Sequence, residues 1–282
     1  MIRVDDVSFA YHRDAPAISN LGFTVKKGEV FGFLGPSGAG KTTTQKILLR
    51  LLRGYQGSIE ILGKPLQKWG RSYFEKVGVS FEFPSHYTKL TALENLQLFA
   101  SFYSVPTADP ATLLEEVGLA GDANKRVEQF SKGMRIRLNV ARAFLNKPDL
   151  LFLDEPTAGL DPANARRIRD LIAARQAAGA TVFLTTHDMV VAEALCDRVG
   201  LLVDGRLVAL DPPRDLRLRH SRRAVEVTFV DDGVRHAETF DLDGLSENVR
   251  FKQILNGAHI ETIHSLELTL DDVFIKLAGG VS

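Results

Sequence analysis

The chain has 282 residues, with 45% hydrophobic and 25% charged residues and 35 Lys plus Arg against 35 Asp plus Glu. A formal charge of zero excludes a global field that would draw it to nucleic acid or anionic lipid. No apolar run approaches the roughly 18 residues that span a bilayer, Met1 to Asp6 has no leader-like apolar stretch behind it, and the single cysteine, Cys196, excludes an internal disulfide framework.

The first strong element is Glu29 to Leu34, an apolar run that ends at Gly35-Pro36-Ser37-Gly38-Ala39-Gly40-Lys41-Thr42 and continues as a helical pattern from Lys41 to about Arg53. Strand, glycine-rich loop and helix, in that order, are the setting in which a GxxxxGK[ST] loop binds phosphate. The glycines let backbone N–H groups face inward, and the helix N-terminus adds a positive dipole end. Lys41 can reach the β- and γ-phosphates of a nucleotide, and the Thr42 hydroxyl can ligate Mg²⁺. Ser58 to Leu62 and Val77 to Phe81 read as further strands. From Thr91 to about Val117 the pattern is helical, interrupted by Pro106 and Pro110. Ser131 then opens an amphipathic stretch with Met134, Leu138, Ala141 and Leu145 on one face, ending before Pro148. About 60 residues of helix, within residues 84–148, are thus predicted between two strands of the core.

Leu150 to Leu153 is an apolar strand closed by Asp154 and Glu155. At the C-terminal edge of a sheet, Asp154 can hold Mg²⁺ and Glu155 can orient and deprotonate an attacking water. Such a pair can also simply cap the next turn, and it is the phosphate loop upstream that favours catalysis. Asp161 caps a helix with Pro162 at its first position, and Gly179 closes it. Thr181 to Thr185 is a β-branched strand. His187 follows at the same edge, where its ring can touch a γ-phosphate; a lone histidine is more often structural, so position alone gives it weight. A helix from Asp188 takes in Cys196 as a small buried residue, and Asp204-Gly205 joins Val199 to Val203 and Arg206 to Ala209 in a hairpin. This alternation predicts an α/β phosphate-loop core at residues 1–210, with a mainly parallel sheet covered by helices.

Composition changes at Asp211-Pro212-Pro213, and residues 211–282 read as a small α+β domain. Arg214 to Arg223 is arginine-rich, a solvated linker or helix face. Ala224 to Val230 and Val234 to Phe240 flank the turn Asp231-Asp232-Gly233. A helix near Ser246 to Asn256, a strand near His259 to Ile263 and a helix capped by Thr269, with Asp272 three residues on, complete the chain. No catalytic constellation is visible in this part.

In order and spacing, Gly35 to Thr43, Ser131 to Arg135, Leu150 to Glu155, Ala158-Gly159-Leu160-Asp161 and Thr186-His187 resemble the ATP-binding subunit of an ATP-binding cassette (ABC) transporter, over about residues 1–210. The resemblance implies a P-loop ATPase that binds ATP and Mg²⁺ and works as a head-to-tail dimer, with itself or with a second ATP-binding subunit. It implies that Tyr11 stacks on adenine, that Lys41, Thr42 and Thr43 hold phosphate and metal, and that Asp154 holds Mg²⁺. Glu155 is then the general base, His187 the γ-phosphate sensor and Asp161 the residue that communicates across the dimer. Ser131 and Gly133 match the signature turn that covers the γ-phosphate held by the opposite subunit. The inserted helices imply docking on a multi-spanning permease, hence a cytoplasmic protein peripheral on the inner face of the membrane, with no nucleic acid as partner.

Two positions depart from the family pattern. The signature reads Phe130-Ser131-Lys132-Gly133-Met134, a form similar to those of drug and antibiotic exporters. Where the family usually has glutamine, after the strand Val77 to Phe81, this chain has Glu82. A carboxylate about 4 Å from Mg²⁺ at an effective dielectric of about 20 interacts by several kcal/mol, opposed by the γ-phosphate at similar range. Glu82 is therefore expected as a metal ligand that couples ATP binding to the membrane subunit, the alternative being a surface residue swung outward to solvent. The expected function is to energise export of a drug, antibiotic or other amphipathic molecule. The alternative is a soluble non-transport ABC ATPase, such as one in cofactor assembly; a kinase or GTPase leaves Ser131 to Met134 and His187 unaccounted for.

Overall fold

Residues 1–12 and 15–279 are described in a computed structural model, which divides into two units, Met1–Pro212 and Pro213–Ser282. Two long strands that the sequence pattern does not announce, β1 (Ile2–His12) and β2 (Ala15–Val25), precede the phosphate loop. Their pairing is broken by register shifts at Val4/Val7, Val7/Phe9 and Ala10/His12, so burial along β1 alternates only over its first residues. Bulges of this kind erase the period of two on which strand recognition depends.

β3 (Val30–Leu34) leads through the loop to α1 (Lys41–Leu48). The helix, expected to reach about Arg53, stops five residues earlier. Arg50 takes φ 61, and the amides of Leu51 and Leu52 both turn back to Lys46 O, a left-handed exit made without glycine. β4 (Gln56–Ile61), β5 (Lys64–Pro65) and β6 (Val77–Ser80) follow. The inserted segment holds α2 (Ala92–Ala100), α3 (Pro110–Glu116) and α4 (Lys132–Ala143). α-Helix fills under half of the insertion, against the largely helical expectation, because Pro106, Gly118 and Gly121 interrupt it and irregular turns, with two short 3₁₀ segments, take the remainder. Thr91 and Glu94 close a capping box on α2, and Asp109 caps α3 with Pro110 at its first position.

β7 (Leu150–Asp154), α5 (Pro162–Ala177), β8 (Thr181–Thr186), α6 (Met189–Leu195), β9 (Arg198–Val203) and β10 (Arg206–Asp211) complete the first unit. Cys196 is buried just past the end of α6, its sulfur 2.7 Å from where a Cβ on Gly32 would stand. Among the described residues the unit has an antiparallel sheet in the order β2-β1-β4-β5 and a six-stranded sheet in the order β10-β9-β3-β8-β7-β6. All pairs in the larger sheet are parallel except the edge pair of β10 with β9. Register places Leu34 beside Thr186 and Thr185 beside Asp154, so the ends of β3, β8 and β7 lie level. Three loops therefore leave one sheet edge together.

That edge is stiffened from beneath. Phe23 of β2 meets Phe31, Phe33 and Phe183 with centroids 5.5, 5.4 and 6.1 Å away, and Phe152 joins Phe183 at 5.7 Å. Each ring is buried, which stabilises by about 1.5–3 kcal/mol per side chain before aromatic geometry is counted. On β6 a Cβ at Gly78 would lie 1.9 Å from Ala143 O, so the end of α4 presses directly on the strand backbone.

The second unit has α7 (Pro213–His220), then β11 (Ala224–Asp231) and β12 (Val234–Asp241) in a hairpin, α8 (Val249–Gly257), β13 (His259–Ser265) and α9 (Leu270–Gly279). The arginine-rich stretch is thus a helix, not a linker. α8 starts three residues later than expected because Asn248, not Ser246, accepts the capping bond, from the Phe251 amide at 2.9 Å. β11 is central, and Val225, Val227, Phe229, Phe240 and Ile254 form a small core. No helix among the described residues is long and apolar enough to cross a membrane.

Candidate nucleotide site

α1 begins without a side-chain cap and with no acidic residue in its first turn, which leaves its N-terminal amides to the loop. Gly40 at the cap has φ 104, and a Cβ there would stand 2.8 Å from both Ala17 O and Ile18 Cγ2, so only glycine fits. Lys41 is 9% exposed and folds back, its Nζ donating to Gly35 O at 2.6 Å and Pro36 O at 3.0 Å. Burial lowers its pKa, while the charges of Glu155, Asp154 and Glu82 oppose the shift. A cation held on two loop carbonyls, beside a helix N-terminus without a side-chain cap, is an anion receptor. Tyr11 is half-exposed at the rim, its hydroxyl 3.3 Å from Thr43 Oγ1 and its ring edge-on to Phe9.

Across from the loop, Asp154 is buried, and its Oδ1 accepts from the Thr185 hydroxyl at 2.5 Å. Burial raises the carboxyl's pKa, and Glu155 and Glu82 push the same way, against that hydrogen bond and Lys41. Glu155 takes φ 47, a left-handed conformation that costs a non-glycine residue about 1–2 kcal/mol. It is held there by the Thr186 hydroxyl on Oε2 at 2.9 Å, and by the His187 amide at 2.9 Å and Nδ1–H at 2.6 Å on Oε1. A carboxylate has about four acceptor sites, and three are occupied. One lone pair stays available to a water.

Ser37, Gly38, Gly40, Lys41, Thr42, Thr43, Glu82, Asp154, Glu155 and His187 line one cavity of about 300 Å³. Segments as far apart in sequence as 37–43, 82, 154–155 and 187 therefore share a wall. Glu82 is exposed but lines this cavity, and it also lines a second one with Lys132, Arg135 and Glu155. The Asp154 and Glu82 carboxylates and the Thr42 hydroxyl are hard oxygen donors that suit Mg²⁺. No three His, Cys, Asp or Glu side chains among the described residues could hold a metal by themselves, so such an ion would also need phosphate and water oxygens.

Ser131, Gly133 and Asp161 do not line the Lys41 cavity. Ser131 caps α4, its Oγ accepting from the Met134 amide at 3.2 Å, and Asp161 caps α5, its carboxylate accepting from both nitrogens of Asn164. Gly133 lies against Leu160, where a Cβ would come within 3.3 Å. Ser131 and Asp161 are exposed and Gly133 is half-buried, all outside the cavity that Lys41 lines. The sequence reading missed Thr185 and Thr186, which orient the acidic pair. Two hydroxyls at the buried end of an apolar strand were the available signal.

A family model described as ABC transporter matches residues 18–158, and one described as the fluoroquinolone efflux ABC transporter C-terminal domain matches residues 223–267. The chain is 53% identical over 282 residues to a fluoroquinolones export ATP-binding protein of Mycobacterium tuberculosis, covering 99% of this chain and 93% of that one. It is 34% identical over 301 residues to the bacitracin transport ATP-binding protein of Bacillus licheniformis, covering 99% and 98%. Among solved structures, an ATP-binding subunit of an ABC transporter matches with a TM-score of 0.70 at 31% identity, over 78% of this chain and 92% of that one. A dimeric ATP-binding cassette in a post-hydrolysis state, bound to ADP and Pi, matches with a TM-score of 0.68 at 27% identity, over 75% and 98%.

Proposed function

Because this chain belongs to the ABC transporter family as an ATP-binding subunit, we propose that its ATPase cycle drives export of an amphipathic antibiotic, of fluoroquinolone class, through a separate permease. The observation that carries this is similarity extending through both units, including residues 223–267, to an ATP-binding protein named for fluoroquinolone export. The non-transport alternative finds no support among the relatives described, which are named for export or transport. The location that follows is the cytoplasmic face of the membrane, with the permease as anchor.

In this reading Lys41 and the loop amides bind the β- and γ-phosphates, and Tyr11 stacks on the adenine. Glu155 accepts a proton from the attacking water as that water bonds to the γ-phosphorus and the bond to the ADP oxygen breaks. His187, whose Nδ1–H is committed to Glu155, uses its other ring nitrogen toward the γ-phosphate. Mg²⁺ at Thr42, Asp154 and Glu82 would neutralise charge on the phosphates. Ser131 and Gly133, outside their own chain's cavity, cover the nucleotide of a second ATP-binding subunit, and Asp161 lies at that junction. ATP closes the pair and hydrolysis reopens it.

Co-expression with a candidate permease and measurement of ATP-dependent fluoroquinolone uptake into inverted vesicles is the direct test. Uptake that requires both proteins is expected; ATPase activity recovered only in a soluble complex would sink the proposal. For Glu82→Gln we expect the Mg²⁺ needed for half-maximal hydrolysis to rise about threefold to tenfold, since a charge close to the cation is lost. An unchanged Mg²⁺ titration together with unchanged transport would remove Glu82 from the metal site.

A further inference from the structure

Both departures from the family pattern bring a charge, and the fold brings the two charges together. Glu82 and Lys132 line one cavity of about 250 Å³, which shares the walls made by Glu82 and Glu155 with the nucleotide cavity. Lys132, the first residue of α4, turns back over the loop that follows β7. Its Cε and Nζ each lie 3.5 Å from where a Cβ on Gly159 would stand. In the same loop the Ala158 amide donates to Glu155 O at 3.1 Å, so the ammonium lies against a turn that begins at Glu155. Two other charged groups line this cavity, and both are committed. Arg135 donates from Nη2 to Glu128 O at 3.2 Å, and Glu155 carries the three hydrogen bonds described above. Glu82 and Lys132 make no hydrogen bond or ion pair among the described residues, which leaves each as the uncommitted charge of opposite sign in the other's cavity.

We propose that Lys132 is a positioning residue for Glu82, a counter-charge that attracts the carboxylate across this cavity and so weakens it as a donor to a cation in the neighbouring nucleotide cavity. The proposal rests on the reading of Glu82 as a metal ligand given above. A neutral glutamine at position 82 needs no such partner. A glutamate there adds a third negative charge beside Asp154 and Glu155, and it opposes the ionisation of Asp154. Lys132 offsets that charge from the side away from Lys41. A sphere of the cavity's volume is about 8 Å across, and unit charges at that separation, at a dielectric of about 40 to 80, change an equilibrium about two- to fivefold. The two departures are in this way one exchange, a carboxylate added on one wall and an ammonium on the other.

The test titrates Mg²⁺ into the dilute full-length chain with a fluorescent, non-hydrolysable ATP analogue and reads equilibrium binding, so that no turnover is involved. Lys132→Met keeps an unbranched stem over Gly159 and deletes the charge. The Mg²⁺ that gives half-maximal enhancement of analogue binding is expected to fall about two- to fivefold. That fall is expected to vanish when Glu82→Gln is already present, because the partner charge is gone. Lys132→Arg keeps the charge and is expected to match the parent chain. A shift of equal size in the Glu82→Gln background would overturn the proposal, since Lys132 would then act directly on the cation or the phosphates. So would the absence of any shift, or a Lys132→Arg variant that behaves like Lys132→Met and reduces the residue to packing. Failure of the underlying reading looks different: Glu82→Gln alone would then leave the Mg²⁺ titration unchanged.

Discussion

Glu155→Gln binds ATP as the parent chain does and hydrolyses it about 10²–10⁴-fold more slowly, the range associated with loss of a general base. Glutamine is a demanding test here because it can preserve the local geometry. Its amide oxygen can accept from the His187 amide and Nδ1–H as Oε1 now does, and the Thr186 hydroxyl can reverse to accept from its Nε2. The left-handed backbone at φ 47 stays supported, so a folding defect is not expected. What disappears is the fourth acceptor site with the basicity to take a proton from water. Single-turnover hydrolysis measured beside equilibrium binding of a fluorescent ATP analogue separates the two effects. Size-exclusion chromatography with ATP should also show a dimer that persists, since closure no longer ends in hydrolysis. Normal turnover in this variant would refute the assignment of the base.

The parts of the fold legible in the sequence are those in which one residue type has one physical use. Gly35 to Thr42 announces a loop because glycines, lysine and a hydroxyl at that spacing serve little besides cradling phosphate, and Asp154-Glu155 is visible because two carboxylates end an apolar strand. Hairpins at Asp204-Gly205 and Asp232-Gly233 follow from residues that tolerate positive φ, and both turns show it. The β1–β2 hairpin escaped because its bulges destroy alternation, and the early end of α1 escaped because a left-handed arginine replaces the usual glycine. Thr185 and Thr186 are harder still. Each acts through a partner 31 residues away, and nothing within a local window links them to it. The strand register that sets Thr185 beside Asp154 exists only once the sheet has formed.

Lys41→Ala separates binding from chemistry in the opposite sense to Glu155→Gln. The ammonium is the one charge that opposes Asp154, Glu155 and Glu82 among the groups acting on Asp154's ionisation and its own. Removing it takes away a charge-assisted hydrogen bond to phosphate, worth about 1.5–3 kcal/mol, and leaves three carboxylates facing a polyanion. ATP affinity is expected to fall at least about 100-fold, about 2.7 kcal/mol, and hydrolysis to become undetectable. The fold should survive, because the bonds lost are only two, to Gly35 O and Pro36 O, and no part of the aromatic core is touched. Calorimetric titration gives the affinity, and thermal unfolding with and without ATP supplies the control. The parent chain and Glu155→Gln should be stabilised by ATP, whereas Lys41→Ala should unfold at one temperature regardless. A Lys41→Ala variant that gains stability from ATP like the parent chain would mean that the loop amides and the α1 N-terminus hold the phosphates without it. The receptor would then owe its affinity to backbone geometry, and the lysine's part would be confined to the hydrolytic step.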